Sequence, residues 1–325
     1  MRLILNKSTT PILWLDTFVI IKMAKILKGE KIHEVEAERC NKLLQIIESK
    51  LSERRLICIK SEQLEEVKLG GRLIDECDDI ITRLSLGTRA KPPYGIEHSQ
   101  EHDFMYAYAH SFDELCIDYR QAFYRDPIRE LKSRKNFIIS VKENHDQESN
   151  DSAKSRKKIL NQELELLRQE QVSKGIKYEN QLELEYKAKV QSIMSYLISS
   201  AGNNDINEYM ALIGDSLNNW AQISGKKNDI EGLIKFYNSN YYNYMPYNDI
   251  TAKLYANIIA SNNPIETGDS MDITNIATMA PYCNIIVTDK KMRNRIKLLG
   301  IDLQYNFQVF SLKDHEELFY LLKSL

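Results

Sequence analysis

Short, continuous apolar runs near both ends of the chain predict buried strands. Ile12–Leu15 and Ile285–Val287 are apolar at every position, as in strands that are covered on both faces. Arg55–Lys60 and Phe307–Leu312 show a similar strand pattern. Each run is followed by a segment whose apolar residues have helical spacing. This alternation of strand and helix predicts an α/β fold with a parallel sheet built from both ends of the chain.

The middle of the chain has a different pattern. Gly87–His98 is rich in glycine and proline, so it predicts a break. Phe104–Tyr124 is aromatic-rich and predicted to be helical, and Ser149–Leu197 is a long charged helical stretch with a weak point at Gly175. We therefore predict three segments: residues 1–88 as the first half of an α/β domain, 89–246 as a mainly helical insertion, and 247–325 as the second half of that domain.

Composition describes an ordinary chain with no global preference for a partner. The 325 residues include 44 basic and 46 acidic side chains, so contact with nucleic acid would have to come from local clustering. The five cysteines form no Cys-x-x-Cys pair, which favours reduced thiols in a cytoplasmic protein. No apolar run approaches the roughly 20 residues of a membrane span, and the N-terminus lacks the pattern of a signal peptide. No glycine-rich phosphate loop follows any predicted strand.

Acidic residues recur beside the predicted strands, whose carboxyl ends would meet at one edge of a parallel sheet. They are Asp16 after the first strand, Glu62, Glu65 and Glu66 after the second, Asp269 and Asp272 on the helix before Ile285–Val287, and Asp289 after that strand. Helix capping or dipole compensation explains each acid taken alone. Several acids at one edge repel one another unless a hard divalent cation neutralises them. The clustering therefore favours Mg²⁺ or Mn²⁺ bound through carboxylates, a site suited to phosphodiester hydrolysis.

Three motifs resemble the PIN-domain nucleases: LWLDTF (Leu13–Phe18), LICIKSEQLEEV (Leu56–Val67) and GDSMDITNIATMAPYCNIIVTDKKM (Gly268–Met292). The resemblance covers about half of the chain, within the usual size of one domain. It implies a PIN-like domain formed from 1–88 and 247–325, with a metal-dependent endoribonuclease activity.

The same resemblance implies a set of site residues. The catalytic and metal-binding acids would be Asp16, Glu66, Asp272 and Asp289. Glu66 is preferred over Glu62 and Glu65 because it directly precedes an apolar residue. Asp269, three residues before Asp272, would be an outer metal ligand or would take the place of Asp272. The candidates for substrate contacts are Thr17, Asn275, Thr288, Lys290 and Arg293. The chain departs from the family at Asn275, where many members have His or Asp, and at about 87–246, which has no counterpart.

These observations predict a nuclease that hydrolyses RNA with bound Mg²⁺ or Mn²⁺ and no membrane association. Such an enzyme would suit a toxin or a defence effector. One alternative is a structure-specific DNA nuclease that uses the same acids. Another is a catalytically inactive module that binds RNA or protein. In each case the helical insertion would provide substrate selection, homo-oligomer contacts or a surface for a protein partner.

Overall fold

The chain forms two compact units, within which the computed structural model describes residues 1–63, 67, 73–133, 147–200, 206–266 and 268–325. The helical unit comprises Met1–Ile4, Tyr94–Ile117 and Leu164–Ile265, and the sheet unit comprises Leu5–Pro93, Asp118–Glu163 and Glu266–Leu325. These limits differ from the predicted segments, because residues 118–163 belong to the sheet unit and 247–265 to the helical unit.

A four-stranded parallel sheet forms the centre of the sheet unit. The strands among the described residues are β1 (Arg2–Asn6), β2 (Ile12–Leu15), β3 (Ile57–Cys58), β4 (Glu114–Asp118), β5 (Ile285–Val287) and β6 (Gln308–Phe310). The sheet has the order β3-β2-β5-β6, and β1 and β4 form a separate two-stranded sheet. Every residue of β2 and β5 is buried, as the continuous apolar runs predicted. The predicted α/β class with a parallel sheet is confirmed.

Helices pack around this sheet in the sheet unit, and two of them begin directly after Asp16 and Asp289, which follow β2 and β5. The described helices of this unit include α1 (Thr17–Leu27), α2 (Glu34–Ser52), α3 (Ile74–Ser85), α5 (Pro127–Ser133), α12 (Asp269–Met279), α13 (Lys290–Leu298), α14 (Ile301–Gln304) and α15 (His315–Ser324). Helix α1 packs against α2 and α3, and α15 packs against α2. Leu13 and Val287 contribute to the apolar core that these helices close.

The helical unit contains most of the remaining helices. These are α4 (Pro93–Ala109), the C-terminal part of α6 (Gln147–Ser173), α7 (Tyr178–Ser200), α8 (Ile206–Ser224), α9 (Ile230–Tyr237), α10 (Asn240–Asn243) and α11 (Pro246–Ile259). Helix α7 packs along α11. The buried carboxylate of Glu101 accepts hydrogen bonds from Tyr237 Oη at 2.7 Å and Ser216 Oγ at 2.9 Å. These two bonds satisfy a charge that burial would otherwise make costly.

Two predicted elements of the middle segment are wrong. Gly87–His98 is not a break throughout, because α4 begins at Pro93. Proline suits the first turn of a helix, where its missing N–H has no intrahelical partner. The helix predicted over Phe104–Tyr124 ends at Ala109, and Glu114–Asp118 forms β4 because it pairs with β1. Within the described ranges, no helix has the length and apolar character needed to cross a membrane.

Ile286 tests how strongly the central strand stabilises the sheet unit. Its side chain is fully buried opposite Trp14, so Ile286→Ala is expected to lower the free energy of unfolding by about 2–5 kcal/mol. The chain has two tryptophans, so a Trp220→Phe background leaves Trp14 emission as the reporter in denaturant titrations. Leu303→Ala, at a side chain that is 83% exposed, is the control and should change stability by less than about 0.5 kcal/mol. Equal effects of the two substitutions would contradict this role.

Candidate active site

The pairing of β2 with β5 places Asp16 beside Thr288. The register sets Leu15 opposite Val287, so the next residue of each strand lies at the same edge of the sheet. The backbone N–H of Asp16 donates to the carbonyl of Val287 at 2.9 Å, and Thr288 Oγ1 donates a short hydrogen bond to Asp16 Oδ2. Asp16 is only 3% exposed. Residues from opposite ends of the chain thus fix this carboxylate at the carboxyl edge of the sheet.

Asp16 and Asp289 each cap the helix that follows their strand. Asp16 Oδ1 accepts the N–H of Phe18 at the start of α1. Asp289 Oδ1 accepts the N–H groups of Lys291 and Met292 at the start of α13. The Oδ2 atom of Asp289 accepts no hydrogen bond from the described part of the chain, so it is available to a ligand. Capping therefore accounts for part, but not all, of the binding capacity of these acids.

An open cavity of about 730 Å³ brings three of the predicted acids together. Asp16 comes from the end of β2, Asp289 from the end of β5, and Asp272 from the first turn of α12. The remaining lining residues are Thr17, Phe18, Ile21, Glu266, Lys290, Lys291 and Asn294. The hydroxyl of Thr17 is buried and has no hydrogen-bond partner among the described residues. The cavity thus gathers three carboxylates, and a buried hydroxyl without a described partner belongs to one of its lining residues.

Asp269 has a different role from the predicted metal ligand. Its Oδ1 accepts from Arg295 Nη1 at 2.6 Å, and its Oδ2 accepts the N–H of Glu266 at 2.8 Å. Burial opposes ionisation of Asp269, but these hydrogen bonds and the charges of Arg295 and Lys291 outweigh it and lower its pKa. Asp269, predicted as a metal ligand, therefore forms a buried ion pair with Arg295 that joins α12 to α13.

The position of the second acid is only partly described. Glu62 is half-buried in the segment after β3, whereas Glu65 and the preferred Glu66 lie outside the described residues. The neighbouring Gln63 is buried, and its Nε2 donates to the carbonyl of Leu15 at 2.9 Å. This bond ties the start of the segment to the residue before Asp16. The contact of Gln63 was not predicted from the sequence, because only the acidic residues of this segment suggested metal ligands.

The predicted substrate contacts divide into two groups. Thr17 and Lys290 line the cavity, and Lys290 is exposed without an acidic partner among the described residues. Asn275 and Thr288 are buried, at 4% and 0% exposure, and neither of them lines the cavity. Arg293 Nη2 pairs with Asp314 Oδ1 at 2.9 Å. Asp314 follows β6 and was not among the predicted site residues.

The residues of the cavity fit a divalent metal ion in the type of their donor atoms but not in their present spacing. Carboxylate and hydroxyl oxygens are the donors that Mg²⁺ and Mn²⁺ prefer, and Asp16, Asp272, Asp289 and Thr17 supply them around one cavity. Within the described ranges, however, no three His, Cys, Asp or Glu side chains lie close enough together to hold a metal ion. The donor set fits a divalent cation in kind, and binding would require the carboxylates to move closer together.

The Asp269–Arg295 pair makes a prediction about stability and pH. Asp269→Asn removes one partner of a buried ion pair, so the free energy of unfolding at neutral pH should fall by about 3 kcal/mol. Because the folded pKa of Asp269 is lowered, this stabilisation is present above its unfolded pKa of about 3.9 and is lost as the pH falls through the folded value. Denaturant titrations at several pH values should therefore converge for wild type and variant in acid.

The control for this prediction is Glu266→Gln, which breaks the ion pair between Glu266, whose side chain is 69% exposed, and Lys291 of α13. Its effect should stay below about 1 kcal/mol, since exposed ion pairs contribute little. A loss for Asp269→Asn no larger than this control, or one that is independent of pH, would contradict the buried-pair interpretation.

Comparisons with protein-family models, curated proteins and solved structures give no significant match to this chain. The geometry of the cavity and the motifs around it are therefore the basis for any function assigned to it.

Proposed function

We propose that the chain is a metal-dependent endoribonuclease whose active site is the acidic cavity at the carboxyl edge of the sheet. The convergence of Asp16, Asp272 and Asp289 on this one cavity is the observation that carries the proposal. Open parallel sheets bind ligands at this edge. The N-termini of α1 and α13 begin there, and their partial positive charge favours an anionic substrate. The resemblance of the three motifs to PIN-domain nucleases supports the same reaction and favours RNA as the substrate.

In this proposal Asp16, Asp272 and Asp289 hold Mg²⁺ or Mn²⁺ together with a glutamate of the segment after β3, for which Glu66 is preferred. The ion would supply an activated water and neutralise charge on the phosphodiester. Thr288 orients Asp16 through its hydrogen bond to Oδ2. Asp289 keeps Oδ2 for the site while Oδ1 caps α13. Asp16 and Asp289 are thus oriented by backbone or side-chain donors before any ligand binds.

The basic residues of the cavity differ in their availability to a phosphate. Lys291 Nζ pairs with Glu266 Oε1 at 2.7 Å, so its charge is already partly neutralised. Lys290 has no such acidic partner in the described part of the chain, and it lies directly after Asp289. Lys290 is therefore the residue that we assign to a phosphate of the substrate backbone, a contact that positions a nucleic acid without reading its sequence.

We also propose that the protein acts in the cytoplasm and that the helical unit selects the substrate or binds a second copy or a protein partner. All five cysteines are free, and Cys40, Cys58, Cys77 and Cys283 are buried. Burial raises the pKa of the Cys58 and Cys283 thiols to about 12, which keeps them protonated and inert. Reduced, buried thiols suit a reducing compartment.

Asp16→Asn and Asp289→Asn test this function while preserving the fold. Asparagine is as good a helix N-cap as aspartate, so α1 and α13 should keep their first turns. Loss of a metal-binding charge removes several kcal/mol of transition-state stabilisation, so each variant should cleave labelled RNA at least about 100-fold more slowly with Mn²⁺. Chelation with EDTA should abolish cleavage by the wild-type protein.

Asp79→Asn is the matched control, because Asp79 is an exposed acid of α3. It should cleave as the wild type does. Equal residual cleavage by wild type, Asp16→Asn and Asp289→Asn would show that the activity does not belong to this cavity, and it would overturn the proposal. Cleavage of DNA but not RNA would assign the site to a DNA nuclease. RNA binding without any cleavage would identify a binding module.

A further inference from the structure

An aromatic ring stands at the acidic cavity. Phe18 is the second residue of α1, two positions after Asp16, and it lines the cavity together with the three aspartates. It is 40% exposed, although the neighbouring Thr17 and Val19 are buried. A single exposed apolar side chain is common on protein surfaces. Its place in the lining of the acidic cavity makes Phe18 different from a scattered surface residue.

The ammonium group of Lys22 packs against the ring of Phe18. Lys22 lies one helical turn further along α1, and its Nζ is 4.2 Å from the ring centroid. The same Nζ donates to Glu36 Oε1 at 2.8 Å, and the side chain of Lys22 is only 17% exposed. Lys22 is therefore held between α1 and α2 and covers part of the ring. This packing restrains the orientation of Phe18, so less conformational entropy is lost when a ligand stacks on it.

The cavity is large enough to hold a nucleotide beside this ring. Its volume of about 730 Å³ falls in the range of small-molecule sites, and its lining combines Phe18 and Ile21 with the carboxylates and Lys290. Aromatic side chains bind unpaired bases by stacking, whereas bases in a duplex are already stacked on one another. An exposed ring next to a phosphodiester site thus suits an unpaired nucleotide and tolerates any base.

We propose that Phe18 stacks on an unpaired base next to the scissile phosphate and that this contact holds the nucleotide in the cavity. This inference rests on the proposed nuclease function, which puts the phosphate at the three aspartates. Phe18 acts here as a substrate-binding residue. It holds the nucleotide beside the reacting group and takes no part in the cleavage of the bond.

Equilibrium binding separates this inference from the activity. Fluorescence anisotropy of a short labelled RNA, free and annealed to its complement, is measured with Ca²⁺ as the only divalent cation. Phe18→Ala should weaken single-strand binding by roughly 5- to 100-fold, the range for loss of one base stack, and leave duplex binding unchanged. Phe18→Leu should be as weak as Phe18→Ala, because it keeps apolar bulk without a π-face. Phe18→Trp should restore binding.

Phe18→Trp adds a direct readout of stacking, since the emission of the new tryptophan should be quenched by the single strand and not by the duplex. Tyr320→Ala is the control for loss of an exposed aromatic, at a side chain that is 79% exposed on α15, and it should bind as the wild type does.

Wild-type binding by Phe18→Ala or Phe18→Leu, or no binding of single strands by the wild type, would overturn the inference. If the wild type cleaves RNA but Phe18→Ala binds unchanged, the nuclease function stands and the stacking role is wrong. If Phe18→Ala loses single-strand binding but the wild type never cleaves, the contact with an unpaired base is supported and the nuclease function fails. A Phe18 surface that served a protein partner would give unchanged RNA binding, and that result also rejects stacking.

Discussion

The pairing of β2 with β5 is the interaction on which the candidate site depends. It joins strands that lie more than 260 residues apart in sequence, and the Thr288–Asp16 bond at its end spans 272 positions. The entropy cost of closing so long a loop grows only slowly with its length, by about 0.6 kcal/mol per doubling, and burial of both strands offsets it. Without this pairing Asp16 and Asp289 would not lie at the same edge of the sheet, and the cavity would not contain both of them.

The same edge of the sheet shows how structural and functional uses of an acid coexist. Helix capping explains why Asp16 and Asp289 suit their positions, and the first turn of α12 suits Asp272, but neither effect explains why all three line the same cavity. Asp269, only three residues earlier, is neutralised by Arg295 and joins α12 to α13. Asp269 therefore stabilises the contact between these helices, whereas Asp16, Asp272 and Asp289 line one open cavity. Their common position at the carboxyl edge of the sheet is the physical reason for assigning chemistry to the cavity.

The parallel sheet could be predicted because its buried strands are continuous apolar runs. The common location of Asp16, Asp272 and Asp289 could be predicted because acids next to these strands are visible in the order of residues. The role of Asp269 could not be predicted, because Arg295 reaches it only when α12 and α13 pack together. Thr288 was likewise predicted to contact the substrate, because its hydrogen bond to Asp16 depends on a strand register that the sequence does not reveal. The start of α4 at Pro93 was missed because proline breaks a helix interior but suits its first turn.

The central claim is that these carboxylates form one divalent-cation site. Anomalous diffraction from a crystal soaked in Mn²⁺ tests it most directly, because the anomalous signal locates the metal without assuming any activity. If the carboxylates bind one ion, an anomalous peak should lie in the cavity, between Asp16 and Asp289 and within ligand distance of Asp272. The same soak with Asp16→Asn should weaken or remove the peak. A fully occupied Mn²⁺ elsewhere on the chain, with none in the cavity, would show that these acids do not form the site.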